Sequence, residues 1–447
     1  MGSEATIKKH PKALITCGLT ITFERFAYYG CKTLLLLFLA ETVAKGGLGI
    51  QSADAAAIAA NLAAFTYLAP IFGGIICDRW LGAKYCVIIG TVIMAAGYAL
   101  GYFATSIVWV HAMIILISIG TGFFKCNLSA LVGELYDDDS LKDAAFSLIY
   151  TFVNLGSFVG SLLIGILYTK TFAYMDNGVL VYGFRKCFLF AAGVLLLGGI
   201  MFVCTQKLLG DAGKYPQKML KKNYDSESEA TNDFDRPLTT LEKKRVLVIF
   251  VLSFFSIFFW VFYNQAGSSI ALYMKDYVNL NVGSFEIPVM SAIWTKTTNR
   301  PQGDLSMAQK MALGYAFLAV AFLFVIAAEV TRGVGAPATA KASVLWIAMF
   351  VVFQTVGEMC FSPLGNSLIS KIAPAKYLSL LMGVWAAATF VANKASGYVQ
   401  GIIEKMGLMQ VFIAIPVILA VGTVIILISN KKLTAMIDDD KTASEAK

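Results

Sequence analysis

Residues 14–43 read LITCGLTITFERFAYYGCKTLLLLFLAETV, one apolar run of membrane length that nevertheless carries Glu24, Arg25 and Lys32. A transmembrane helix needs about 20 predominantly apolar residues. An ionisable side chain near its middle costs roughly 2.5–3.5 kcal/mol on insertion scales. At helical period Arg25, Tyr29 and Lys32 share one face, with Glu24 and Tyr28 beside it, and a face of two cations and two phenols cannot meet lipid. Two readings are open. Glu24 pairs with a cation for structure, or the face is a cationic site for a solute. Lys32 adds charge that Glu24 does not offset, which favours the second.

The rest of the chain has the same character. Of 447 residues, 58% are hydrophobic and 14% charged, with mean hydropathy +0.71. A soluble domain carries roughly 25% charged residues and must cover its surface with them. A soluble enzyme, a disordered chain and a fibrous repeat are thereby excluded. The net charge of +8 forms no stripe or patch that would suit nucleic acid, and falls mostly between apolar runs, as in cytoplasmic loops. Eight cysteines form no CxxC pair, so neither a metal site nor a disulfide framework is indicated, and no cofactor is expected. The first apolar run is too long for a signal-peptide core and reads as a retained span.

About eleven spans are evident, near 14–43, 55–76, 86–106, 108–134, 143–168, 187–206, 246–274, 311–331, 343–369, 377–402 and 409–429. Residues 1–206 read as an N-terminal six-helix bundle, 207–245 as a solvated cytoplasmic linker, and 246–447 as a C-terminal bundle with a short tail. Lys8, Lys9 and Lys12 put the N-terminus inside, and Arg79, Lys84 and the basic linker agree. Lys296, Arg300, Lys310, Lys371, Lys376, Lys431 and Lys432 then face inside only if there are twelve crossings. A twelfth span near 278–300 is therefore missing or broken, because Asn279, Asn281, Ser284, Glu286 and Pro288 suit lipid poorly. Six spans, a basic linker and six more describe a transporter built from two similar halves, with both termini cytoplasmic.

Other intramembrane polar groups are candidates for its site. Lys125 lies in Gly120-Thr121-Gly122-Phe123-Phe124-Lys125-Cys126-Asn127, where the glycines read as helix-packing residues rather than a phosphate cradle. A lysine snorkelling to the interface is the alternative for Lys125. Asn154 reads either as a ligand group or as a helix bridge. Glu358, in Val356-Gly357-Glu358-Met359-Cys360-Phe361-Ser362-Pro363, reads as a proton or amine site or as half of a structural ion pair. Cations in the first half and a carboxylate in the second suit a zwitterion, read at its ends and not along its side chains. Tyr29, Tyr67, Trp260 and Trp385 are candidates to line accommodating pockets.

These residues resemble the proton-dependent oligopeptide transporter family of the major facilitator superfamily. Glu24-Arg25-Phe26-Ala27-Tyr28-Tyr29-Gly30 is similar to the family's first-span motif, and Gly73-Gly74 through Asp78 to Gly82 to its second. Phe123 to Asn127, Phe146 to Ser157, Phe259-Trp260 with Gln265 to Ser269, and Gly357-Glu358 with Ser362-Pro363 follow in the family's order. The resemblance implies an all-α membrane protein with the major facilitator fold, importing di- and tripeptides by proton symport. It implies Arg25, Lys32 and Lys125 at the peptide carboxylate, Asn154 and Glu358 at its amine, and Tyr29, Tyr67 and Trp385 around the pocket. Asn264 and Ser362 join the binding set, and Glu24, Arg25, Lys125 and Glu358 the proton-coupling set. The expected partners are peptides, protons and the bilayer of a plasma or inner membrane, with the chain acting as a monomer.

Four departures matter. Ile21 and Asn264 stand where the family has acidic residues linked to coupling, and Cys126 where it has proline. The helical pair that many bacterial members insert between the halves is absent from 207–245. A proton-uncoupled peptide facilitator, or a carrier of nitrate or an organic acid on the same fold, is the alternative function. An intramembrane enzyme would need a nucleophile–base pair or metal ligands, and with His10 in the tail and His111 at a span edge no such cluster is evident.

Overall fold

A computed structural model describes residues 11–136, 139–216, 238–279, 281–282, 285–286, 306–361, 369, 372–374 and 377–444. The helices are α1 (Lys12–Ala40), α2 (Ser52–Trp80), α3 (Ala83–Phe103), α4 (Ile107–Glu134), α5 (Asp139–Ile166) and α6 (Phe184–Thr205). They continue with α7 (Thr240–Tyr263), α8 (Ser269–Tyr277), α9 (Met307–Arg332), α10 (Val344–Phe361), α11 (Leu378–Ser396), α12 (Val399–Met406) and α13 (Leu408–Ser444). Nine stretches among the described residues are long and apolar enough to cross a bilayer, α7 and α8 counting as one. The 29-residue α1 and 19-residue α11 have membrane length but are made more polar by Glu24, Arg25 and Lys32, and by Asn393 and Lys394. Each of the eleven expected spans overlaps one or two of these helices, and residues 362–368 of the span expected at 343–369 lie outside the described residues. The protein is a multi-pass membrane protein.

Contacts divide the chain into two compact units, Met1–Leu48 with Leu68–Ala230, and Gly49–Tyr67 with Thr231–Lys447. Helix α2 is shared between them, and the change falls three residues before its internal Pro70.

In the first unit α1 packs on α5 and α6, and α3 on α4 and α6. Glycines make the approaches possible. A Cβ at Gly160 would fall 2.7 Å from the Phe26 Cα, one at Gly90 2.6 Å from the Gly120 carbonyl oxygen, and one at Gly122 2.7 Å from the Ala69 carbonyl oxygen. The packing role expected for Gly120 and Gly122 is thus what the structure shows. Thr22 on α1 donates to the Phe152 carbonyl on α5 at 3.1 Å, which fixes the register of the pair. Between α5 and α6, strands β1 (Tyr174–Asp176) and β2 (Val179–Val181) form an antiparallel hairpin. Its turn places Asn177 and Gly178 at φ 48° and 81°, the residue pair a two-residue turn of this hand requires.

In the second unit α9 packs on α10 and α13, and α7 on α11 and α13. Capping boxes open α7 (Thr239 with Glu242) and α9 (Ser306 with Gln309). Both starts lie at the C-terminal stretch of α13: Arg245 donates to the Ile437 carbonyl at 3.1 Å, and Ser306 to Asn430 Oδ1 at 2.6 Å. The far ends also meet. Strand β3 (Val278–Asn279) follows α8, β4 (Asn281–Val282) pairs antiparallel with β5 (Phe285–Glu286), and β3 pairs in parallel with β6 (Ala342–Ser343), just before α10. The Arg332 guanidinium at the end of α9 sits 4.3 Å from the Tyr277 ring centroid. The α7–α8 span and α9 therefore run in the same direction. Apart from its first short strands, the twelfth crossing expected near 278–300 lies outside the described residues.

Candidate functional site

Each unit carries its own cluster of expected site residues. In the first, Arg25 donates from Nε to Glu24 Oε2 and from Nη2 to Glu24 Oε1 at 2.7 Å, a bidentate pair between adjacent residues. Glu24 is 1% and Arg25 8% exposed. The guanidinium lies 5.0 Å from the Tyr28 ring centroid and 5.8 Å from that of Tyr29, and the two rings meet edge to face. Glu24 is thus paired with Arg25, as one of the two readings of this face has it, and Lys32 lies on the same helix outside that pair. Gly156 on α5 makes room for it, since a Cβ there would fall 3.0 Å from the Arg25 Cβ.

Lys125 is half-buried on α4 and within electrostatic reach of both Arg25 and Glu24. The first cluster thus holds two cations to one carboxylate. Lys32 is half-buried one turn beyond Tyr28, and Asn154 half-buried on α5 between Phe152 and Gly156. Cys126, at the departure from the family motif, directs its thiol at the Pro70 carbonyl, 3.3 Å away.

In the second unit Glu358 on α10 is not a lone carboxylate. The Tyr263 hydroxyl at the end of α7 donates to its Oε2. One turn earlier on α10, Gln354 donates to the Tyr263 carbonyl at 2.7 Å. Tyr263 also stands against Trp260 (5.2 Å between centroids) and Phe259, which stacks on Phe361 at 4.0 Å. The Trp260 indole N–H is buried with no acceptor among the described residues. Such a donor in a site is ready for a ligand oxygen or a water.

Asn264 donates to the Trp260 carbonyl at 2.8 Å and to Asn393 Oδ1 on α11 at 3.1 Å, so it is held in a neutral amide pair. It opens a short 3₁₀ turn, Asn264–Gly267, that breaks the seventh span between α7 and α8. Gln265 bridges the break, donating to the Val261 and Ser396 carbonyls and accepting from Ser269. Trp385 is half-buried on α11 and Tyr67 is exposed on α2. Ser362 and Pro363 lie outside the described residues.

Tyr263, Gln354 and Asn393 were not among the expected site residues. Tyr263 reads in sequence as one more aromatic of an aromatic run, although its place beside Asn264 was a signal. Glu329 and Arg332 were also passed over. They form a buried pair on α9 (2.6 Å), 3% and 4% exposed at the arginine and glutamate side chains respectively as paired, with the Tyr273 hydroxyl donating to Glu329 at 3.1 Å. Their i, i+3 spacing near the end of an apolar run was legible.

Comparison with known proteins now adds to this geometry. The chain is 27% identical to dipeptide and tripeptide permease A of Escherichia coli (strain K12), over 98% of this chain and 96% of that one. It is 26% identical to peptide transporter YePEPT of Yersinia enterocolitica, over 88% of each. Among solved structures, a mutant of peptide transporter POT in complex with alafosfalin matches with TM-score 0.82 and 25% identity, over 97% of each chain. The major facilitator fold expected from the resemblance is the fold of that neighbour. The profile of the POT family matches residues 84–227 and 237–418, well over half of the chain, and the chain belongs to the POT family.

Proposed function

We propose that this protein is a secondary active transporter that imports di- and tripeptides with protons by alternating access. The observation that carries the reading is the division of charge. Glu24, Arg25 and Lys125 cluster in one unit with an excess of cation, and Glu358 is a hydrogen-bonded carboxylate in the other. A peptide's carboxylate suits the first and its ammonium the second, with charge-assisted hydrogen bonds at each end. The names of its relatives, permeases and transporters of dipeptides and tripeptides, support the same substrate class.

In this reading Arg25, Lys32 and Lys125 receive the peptide carboxylate, Asn154 and Glu358 its amine, and Tyr29, Tyr67 and Trp385 shape the pocket, with Asn264 and Ser362 in the binding set. The two bundles, 1–206 and 246–447, joined by the 207–245 linker, alternate access in the plasma or inner membrane, as a monomer with both termini in the cytoplasm. Arg25 is the link to the proton. While Glu24 is ionised it occupies the guanidinium bidentately, and protonating Glu24 frees Arg25 for the peptide carboxylate, so the two binding events share one partner.

The test is uptake of a labelled dipeptide by proteoliposomes under an imposed inward proton gradient, with counterflow from preloaded vesicles as control. Accumulation that collapses with a protonophore supports symport. A second reading, the uncoupled facilitator, is favoured by Asn264, whose amide pairs with neutral Asn393 where a carboxylate would otherwise titrate. Counterflow without gradient-driven accumulation selects it. Absence of both would overturn peptide transport.

A further inference from the structure

Lys394 lies within α11, where an ammonium needs a named partner. Among the described residues no carboxylate takes that place. Its Nζ donates to Asn61 Oδ1 on α2 and lies 5.7 Å from the Tyr398 ring centroid. Asn61 belongs to the N-terminal half of α2, which contacts assign to the second unit. That half and the residue before it meet α11, α12 and the turn between them at three more places. Phe65 meets Phe390 at 5.8 Å, and Gln51 donates to Glu404 at 3.0 Å. At Gly397 an added Cβ would fall 2.6 Å from the Ala60 Cβ and 2.8 Å from the Ala56 carbonyl oxygen.

The other half of α2 is held by the first unit, with Gly73 against the Gly122 backbone and the Pro70 carbonyl accepting from Cys126. Pro70 lacks the N–H that would bond the Thr66 carbonyl, so the helix ladder is interrupted close to where α2 changes hands.

We infer that Asn61 and Lys394 form a polar latch fastening the N-terminal half of α2 to α11, and that its release sets the turnover of the transporter; this rests on the transport reading above. The neutral partner is the reason. An amide holds an ammonium less tightly than a carboxylate does, so the bond breaks and reforms where an ion pair would persist. Beside it Ala56, Ala60 and Gly397 make a contact of small residues, and the other polar tie, Gln51 to Glu404, is exposed at the helix start. Lys394 is a positioning residue, acting on substrate through α2.

Two variants move the latch in opposite directions. Asn61→Asp makes the pair ionic, and Lys394→Gln reduces it to a neutral hydrogen bond. Counterflow of a labelled dipeptide in proteoliposomes reads turnover and KM separately. N-ethylmaleimide reactivity of Ala56→Cys, located by mass spectrometry, reads release directly, because Ala56 is 1% exposed beneath Gly397. Asn61→Asp is expected to slow turnover roughly fivefold at little change in KM and to lower the reactivity of the cysteine. Lys394→Gln is expected to raise that reactivity and not to slow turnover. A mere brace would give loss of rate in both variants, and that result, or no change in either readout, overturns the latch. If the unaltered protein exchanges no dipeptide, the transport reading fails, and the alkylation readout still decides whether the two halves part at Asn61.

Discussion

The Tyr263 hydroxyl donates to the Glu358 carboxylate while the Tyr263 carbonyl accepts from Gln354, so two residues one turn apart on α10 grip a single residue of α7. The grip fixes where the carboxylate points. It also ties the orientation of Glu358 to the 3₁₀ break that begins one residue after Tyr263.

Replacing Tyr263 with Phe removes the phenol's donor and leaves the aromatic contacts with Trp260 and Phe259 in place. A hydrogen bond to a charged group is worth about 1.5–3 kcal/mol, and an unheld carboxylate is no longer pre-positioned for an ammonium. Tyr263→Phe is expected to raise KM for free dipeptides about tenfold and to leave the weaker uptake of N-acetylated dipeptides unchanged. Parallel uptake curves for the two substrates check it. Equal effects on both would detach Tyr263 from amine recognition.

The Glu24–Arg25 pair predicts a double phenotype. Removing one member of a buried pair costs about 3–5 kcal/mol, because the remaining charge is stranded. Glu24→Gln is therefore expected to lower the melting temperature in detergent by several degrees. It is also expected to abolish proton-driven accumulation while counterflow continues. Full pH-driven accumulation by Glu24→Gln would refute coupling through this pair.

At the α1–α5 crossing the argument is steric. Gly160 lies against Phe26, where a Cβ would come within 2.7 Å of the Cα, backbone that cannot give way as a flexible side chain would. Overpacking of this kind costs typically 1–3 kcal/mol. It would also shift Arg25, one residue from Phe26. Gly160→Val is expected to reduce the yield of monodisperse protein and to impair carboxylate recognition, whereas Gly193→Val, with nothing within 4 Å of its Cβ position, is expected to do neither.

These residues also mark what the sequence made legible. Apolar length located eleven spans, and the cost of intramembrane charge singled out Glu24, Arg25, Lys125 and Glu358. Hydropathy is a one-dimensional property, so a single chain carries those signals whole. Partners are different. Helical period sets Glu24 and Arg25 about 100° apart, and only the long arginine stem folding back brings them together. Tyr263 could not be told from packing aromatics until α10 placed Glu358 beside it. Lys394 obeys the same rule that singled out Lys125, but its partner Asn61 is 333 positions away.

Glu329 and Arg332 predict stability without a transport role. Arg332 additionally donates to the Ala336 carbonyl at 2.7 Å and covers Tyr277, so the pair joins α8, α9 and the loop beyond. Glu329→Gln strands a buried guanidinium and is expected to cost about 3–5 kcal/mol. In the folded fraction, dipeptide KM and the dependence on the proton gradient are expected to be unchanged. A changed gradient dependence would move this pair into the coupling machinery.

The parallel course of α7–α8 and α9 makes a prediction about sidedness. Arg245 and Ser306 both meet the last turns of α13, and Tyr277 meets Arg332 at the other end, so Lys310 and Lys341 belong to opposite faces of the membrane. Residues 280–305 connect α8 to α9, and most of that stretch lies outside the described residues. Their composition resists lipid, with Asn281, Ser284, Glu286 and Pro288 in the first third. A membrane-impermeant maleimide applied from outside is expected to label Lys341→Cys in sealed cells, and Lys310→Cys only after permeabilisation. Labelling of both from the same side would mean that the chain makes no return between Asn279 and Ser306. An intact mass well above 48.4 kDa would instead mean that the cellular protein carries further apolar residues in this stretch.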